Sequence, residues 1–215
     1  MRALLVDVDG TLIDSNYHHA IAWFRALRDN GHVVPVVDIH RRVGMGGGQM
    51  LEELIGRADE TVESAWKRNF EDMVPEIEPF ARAAALIRAC AKRDLRVVLA
   101  TSSPGDLLEA LREKLDADEA IHAAVDADDV DEAKPEPDVF ATALAKAGVE
   151  ASQTLVLGDS TWDVLAAQRA GLEAMTVLTG GYGRDELEAA GAVAVYRDVA
   201  ELFESIDDSP LMGKR

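Results

Sequence analysis

The chain has 215 residues, enough for one buried core with a modest insertion or for two small domains, so a disulfide-stapled miniprotein is excluded. With 40 acidic against 22 basic residues its formal charge is −18, which opposes docking on nucleic-acid backbones or anionic membranes, because both repel it. The single Cys90 has no internal disulfide partner and reads as a buried structural thiol in a reducing compartment.

The N-terminus reaches Asp7 before any apolar run could serve as a signal sequence, and no later stretch approaches the roughly twenty apolar residues of a membrane span. A soluble, cytoplasmic chain is expected. Short branched-apolar runs predict strands at Ala3–Val6, Leu95–Ala100, Thr154–Leu157 and Ala174–Val177, with weaker ones at His122–Val125 and Ala192–Val195. Helical stretches follow most of them, the signature of an α/β fold with a parallel sheet.

The first strand runs directly into Asp7-Val8-Asp9-Gly10-Thr11-Leu12. Open parallel sheets place their ligand sites at such strand exits. Two carboxylates one residue apart can converge on a cation once the chain curls, and Gly10 permits the curl. Read alone, the pair also fits a fragment of a calcium loop or a solvated turn.

From about Ser15 to Pro79 nothing reads as a strand, while Tyr17–Asn30, Val36–Val43, Gln49–Ile55 and Glu60–Met73 all read as helices. This predicts an inserted helical unit. The run Gly44-Met45-Gly46-Gly47-Gly48 is too glycine-dense for a helix interior, where each glycine costs about 1 kcal/mol relative to alanine, and is expected to be a loop tip. Its backbone amides, Gly46 and Gly47 among them, and the neighbouring Arg42 are candidates to hold a second anionic group; a plain helix connector with its arginines in water is the alternative.

The second strand ends in Thr101-Ser102-Ser103-Pro104, hydroxyls at a helix start that suit an anion and equally suit ordinary helix caps. The acidic run from Asp116 to Glu132 fits no calcium loop and reads as a solvated face. In Ala133-Lys134-Pro135-Glu136-Pro137-Asp138 paired prolines stiffen the approach to a helix over Pro137–Gly148. Lys134 stands there either as a fixed positive charge beside a ligand or in solvent. The strand Thr154–Leu157 leads into Gly158-Asp159-Ser160-Thr161-Trp162-Asp163; Asp159 suits an oxygen site for magnesium, and Asp163, one helical turn on, could hold a metal-bound water or simply complement the helix dipole. The tail Ser209–Arg215 is expected to fray.

Taken in order, these four segments resemble the four motifs of the haloacid dehalogenase superfamily, and they span the chain from Asp7 to Asp163. The resemblance implies a Rossmann-like parallel sheet core with helices on both faces and an inserted small helical cap domain: residues 1–14 and 80–215 as the catalytic core and 15–79 as the cap. It implies Asp7 as nucleophile, Asp9 as general acid/base, Thr101 on a phosphoryl oxygen, Lys134 stabilising charge, and Mg2+ held by Asp7, the Asp9 backbone carbonyl and Asp159. An acid at the Asp9 position favours phosphoryl chemistry, because the superfamily's dehalogenases lack one there.

The capped subgroup this chain resembles includes phosphoglycolate phosphatases and β-phosphoglucomutases. The expected partner is a small phosphorylated metabolite, with Ser102 and cap residues among its contacts, and the oligomeric state is not readable. His19 sits where the mutases carry a cap histidine, although many phosphatases of the group resemble this stretch and an ordinary polar helix position is the leading reading for both His18 and His19. A phosphoryl-accepting receiver domain or an inactive binding relative is the non-enzyme alternative; a receiver would lack the cap.

Overall fold

Each branched-apolar run forms a strand: β1 (Arg2–Val6), β2 (Leu95–Ala100), β3 (Ala123–Val125), β4 (Thr154–Gly158), β5 (Glu173–Val177) and β6 (Ala194–Tyr196). In the computed structural model, which describes residues 2–213, they form one parallel sheet in the order β3-β2-β1-β4-β5-β6. Parallel strands need crossover connections, and helices supply them: α5 (Ala83–Ala91), α6 (Gly105–Leu115), α7 (Asp138–Ala147), α8 (Thr161–Arg169), α9 (Arg184–Ala190) and α10 (Val199–Glu204).

The period-2 alternation of strand side chains divides the core into two layers. Leu4 and Val6 of β1, with Val97, Leu99, Leu157 and Met175, pack with α5, α6 and α10. Ala3 and Leu5, with Val98, Ala100, Val156 and Ala174, face α7 and α8 on the other side. Both faces are therefore apolar, which is why these strands read as nearly continuous hydrophobic runs.

Between β1 and α5 the chain forms α1 (Asn16–Asp29), α2 (Val36–His40), α3 (Gly47–Ile55) and α4 (Glu60–Glu71). They build a cluster of their own, in which Ala20, Trp23 and Leu27 of α1 meet Met50 and Leu51 of α3 and Val62 and Ala65 of α4. The two passages between this helical cap and the sheet run side by side, with Asp14 N donating to Glu78 O at 3.0 Å and Phe80 N to Leu12 O at 2.9 Å.

Some expectations need correction. α2 stops at His40 and not at Val43, because residues 41–43 turn so that the Arg41 carbonyl accepts from Trp162 Nε1 (3.0 Å) and Tyr182 Oη (2.8 Å) of the core. Gly47 and Gly48 are not loop but the first turn of α3, where backbone amides have no intrahelical acceptor in any case. β6 lies slightly later than expected, at Ala194–Tyr196. The tail does not fray over the described residues: Leu211 is buried and its carbonyl accepts from Arg2 Nη1 at 2.6 Å. Residues 214 and 215 lie outside the described part. Cys90 is a buried free thiol, as its alanine-rich context implies. No helix among the described residues is long and apolar enough to cross a membrane.

Candidate active site

β1 lies between β2 and β4, and all three end at the same edge of the sheet. The residues that leave these strand ends are Asp7, Thr101 and Asp159. An edge where connections depart to both sides of the sheet leaves a crevice, and the acids line it. Gly10 is required at the bend after β1: its φ is +80°, and a Cβ there would lie 2.2 Å from Asn16 Nδ2 and 2.5 Å from Asp159 Oδ2. Any side chain at that position would displace the groups that hold Asp159.

Lys134, almost fully buried, donates to Asp7 Oδ1 and to the Ala100 carbonyl (3.1 Å), and stands 2.9 Å from Asp163 Oδ1. It is therefore a fixed charge and not a solvated lysine. Thr11 Oγ1 lies 3.2 Å from both Asp7 Oδ2 and Asp159 Oδ1, and Asn16 Nδ2 donates to Asp159 Oδ2 at 2.6 Å. Asp163 is fixed at the start of α8 by the Ser160 hydroxyl (2.6 Å) and by the amides of Asp159 and Ser160. Asp9 collects four donors: Ser15 Oγ at 2.6 Å, His19 Nε2 at 3.0 Å, Thr101 Oγ1 at 3.1 Å and Ser103 Oγ at 2.8 Å.

Electrostatics separates the two acids of the first motif. Burial pushes the Asp7 carboxyl up to about 7, against the pull of Lys134, with Asp163 and Asp9 adding repulsion. Asp159 is raised well above the usual carboxylate range by burial and then by Asp163 and Asp7. For Asp9 burial acts upward too, but the charge and hydrogen bond of His19, with the bonds from Ser15 and Ser103, override it and hold the carboxyl below its ordinary range. Burial alone would lower Lys134; its two carboxylate partners, Asp163 and Asp7, raise it instead.

Carboxylate oxygens of Asp7, Asp159 and Asp163 lie within 4.8 Å of one another. Three buried acids with a single lysine leave excess negative charge that a cation would relieve, and an all-oxygen donor set suits a hard divalent ion. The residues present thus fit a metal.

Above the acids is a cavity of about 210 Å3, closed on its far side by the cap. Ser102, Gly46 and Gly47 line it, as do His19 and Thr101. The Ser102 hydroxyl is buried with no partner. Arg42 does not reach the cavity: its Nε pairs with Glu53 at 2.7 Å and its Nη1 donates to the Asp38 carbonyl on the outer side of the cap. Arg41 pairs with Glu186. Sequence reasoning missed Thr11, Ser15, Asn16, Ser103 and Ser160. Their one linear signal is that small hydroxyl and amide residues cluster within about ten residues after the strand exits at Asp7, Thr101 and Asp159.

The family model of haloacid dehalogenase-like hydrolases matches residues 1–171. The phosphoglycolate phosphatase of Rhodospirillum rubrum is 31% identical, over 94% of this chain and 89% of its own length. The validoxylamine A 7′-phosphate phosphatase of Streptomyces hygroscopicus is 27% identical, over 94% and 95%. Among solved structures, a hydrolase from Pseudomonas syringae superposes with a TM-score of 0.91 at 35% identity, over 97% of this chain and 99% of that one. The chain belongs to the haloacid dehalogenase-like hydrolases, as a hydrolase of phosphoric monoesters.

Proposed function

We propose that this chain is a magnesium-dependent phosphatase that passes the phosphoryl group of a small monoester first to Asp7 and then to water. The observation that supports it most is the meeting of Asp7, Asp9, Thr101, Lys134 and Asp159, drawn from four separate segments, beside one cavity. Mg2+ would be held by the Asp7 and Asp159 carboxylates and the Asp9 backbone carbonyl, with Asp163 in support; when bound it neutralises the repulsion between nucleophile and phosphoryl oxygens.

In the first step an Asp7 carboxylate oxygen forms a bond to phosphorus while the ester oxygen departs and takes, through Asp9, the proton held by the hydrogen-bonded Asp9–His19 pair. In the second, a water oxygen bonds to phosphorus, its proton returns through Asp9 to the same pair, and the bond from phosphorus to Asp7 breaks. Lys134 stays paired with Asp7 throughout, so its charge is in place as negative charge builds on the phosphoryl oxygens. Thr101 and Ser102 offer hydroxyls toward those oxygens, and the unpartnered Ser102 hydroxyl is the freer of the two.

A mutase that cycles a bisphosphate must hold a second phosphate at the cap end of its cavity. No lysine or arginine lines this cavity among the described residues, which favours hydrolysis. The receiver reading is disfavoured by the cap, residues 15–79 in our division, which supplies His19, Trp23, Met50 and Trp66 to the cavity wall. The test is phosphate release from a panel of small esters with magnesium and with a chelator. Magnesium-dependent release is expected; isomerisation of β-glucose 1-phosphate without release would instead establish the mutase.

A further inference from the structure

The cap end of the cavity has a composition that the phosphoryl chemistry does not explain. Its walls are Trp23, Met45, Met50 and Trp66, and among the described residues Glu63 of α4 is the one acidic cap residue that lines it; His19, at the other end, is paired with Asp9. Trp23 and Trp66 stack with ring centroids 4.8 Å apart. Glu63 is half-buried and, among the described residues, has no ion-pair partner.

Its position relative to α3 matters most. A Cβ on Gly47 would lie 3.7 Å from the Glu63 carboxyl carbon and 3.2 Å from the Trp23 ring, and one on Gly48 would lie 3.6 Å from Glu63 Oε1. The Glu63 carboxyl therefore lies against the first turn of α3, which has no side-chain cap and borders the cavity through Gly46 and Gly47. A bare helix N-terminus facing a ligand cavity ordinarily attracts an anion. Here the protein has set its own acid beside that position, and the two arginines that precede the glycine run, Arg41 and Arg42, are committed elsewhere. Burial raises the Glu63 carboxyl, and Glu60 and Asp59 add further repulsion, so a ligand anion arriving there would join an already negative neighbourhood.

We propose that Glu63 is a charge filter for the leaving group: the cap end accepts a neutral, hydroxyl-bearing alcohol laid against the tryptophans and rejects one that carries a carboxylate or second phosphate. The inference rests on the phosphatase reading and deepens it. A hydroxyl donates to the Glu63 carboxylate while its carbon skeleton covers the indole faces; a carboxylate finds a like charge and, among the described residues, no lysine or arginine on the cavity wall.

The decisive pair of substrates is 2-hydroxyethyl phosphate and phosphoglycolate, which differ by a hydroxymethyl against a carboxylate. The wild type is expected to favour 2-hydroxyethyl phosphate in kcat/KM by about ten- to a hundredfold, the range that like charges in a partly buried site produce. Glu63→Gln should bring that ratio down by about tenfold, chiefly through a lower KM for phosphoglycolate, and Glu63→Lys should invert it. Because Glu63 is half-exposed, both variants should fold, and thermal melting checks this. Equal or better use of phosphoglycolate by the wild type, or a ratio unmoved within about twofold in both variants, would overturn the filter while leaving the phosphatase standing. Silence toward every ester, p-nitrophenyl phosphate included, would sink the phosphatase reading and the filter with it.

Discussion

His19 of the first cap helix holds its Nε2 3.0 Å from Oδ1 of Asp9, the acid three residues beyond β1, so a cap side chain is hydrogen-bonded to the acid that carries the proton in the proposed mechanism. The His19 ring is itself fixed by stacking on Phe70, with centroids 3.9 Å apart. In the proposed mechanism it sets the orientation of Asp9 and shares its proton.

This relationship predicts that His19→Asn lowers kcat by about ten- to a hundredfold while KM moves by less than about threefold, since positioning a proton carrier acts in the transition state. Steady-state kinetics on a single ester checks it. A loss carried by KM alone would make His19 a substrate contact instead. Circular dichroism and thermal melting show whether the stack on Phe70 survives.

The sheet was legible because strands buried on both faces leave branched-apolar runs that no helix period explains, as in Leu4-Leu5-Val6 and Val97-Val98-Leu99. Asp7 and Asp159 were legible because each closes such a run, Asp7 directly and Asp159 after one glycine. What escaped was set by distance in space. Asn16 and Asp159 are far apart in the chain yet 2.6 Å apart in the fold, and no local pattern announces that bond. Arg42 seemed suited to an anion because it borders a glycine run, but Glu53 on the next helix claims it. The start of α3 was misplaced because the glycine penalty applies to helix interiors, and Gly47 stands in a first turn where the Trp23 ring occupies the place of a side chain. The His19–Asp9 contact depends on how the cap docks, which a helical periodicity does not encode.

Among the described residues Lys134 is the single cation between Asp7 and Asp163, both buried. Lys134→Met should destabilise the metal-free protein by about 3–5 kcal/mol, because it leaves uncompensated charge in a dry site. Urea unfolding measures this. Added magnesium should recover part of the loss, and Asp163→Asn in the same chain should recover more. A cost below about 1 kcal/mol would mean that water reaches the pair.

Magnesium should stabilise the wild type, by about 2.7 kcal/mol at a concentration one hundred times its dissociation constant. In Asp159→Asn that response should fall sharply. The metal-free variant should be as stable as the wild type or more so, because burial and the repulsion of Asp163 and Asp7 already oppose an ionised carboxylate at that position. Thermal melting across a magnesium series separates the two effects; an undiminished response in the variant would remove Asp159 from the metal site.

The central claim is that Asp7 carries the phosphoryl group. Turnover quenched in acid, followed by proteolysis and mass spectrometry, should find the peptide containing Asp7 heavier by one phosphoryl group, with the added mass on Asp7. The Asp7→Asn variant should show no adduct and no phosphate release while keeping its fold. Full turnover by that variant, or a phosphoryl group found on another residue, would contradict the account.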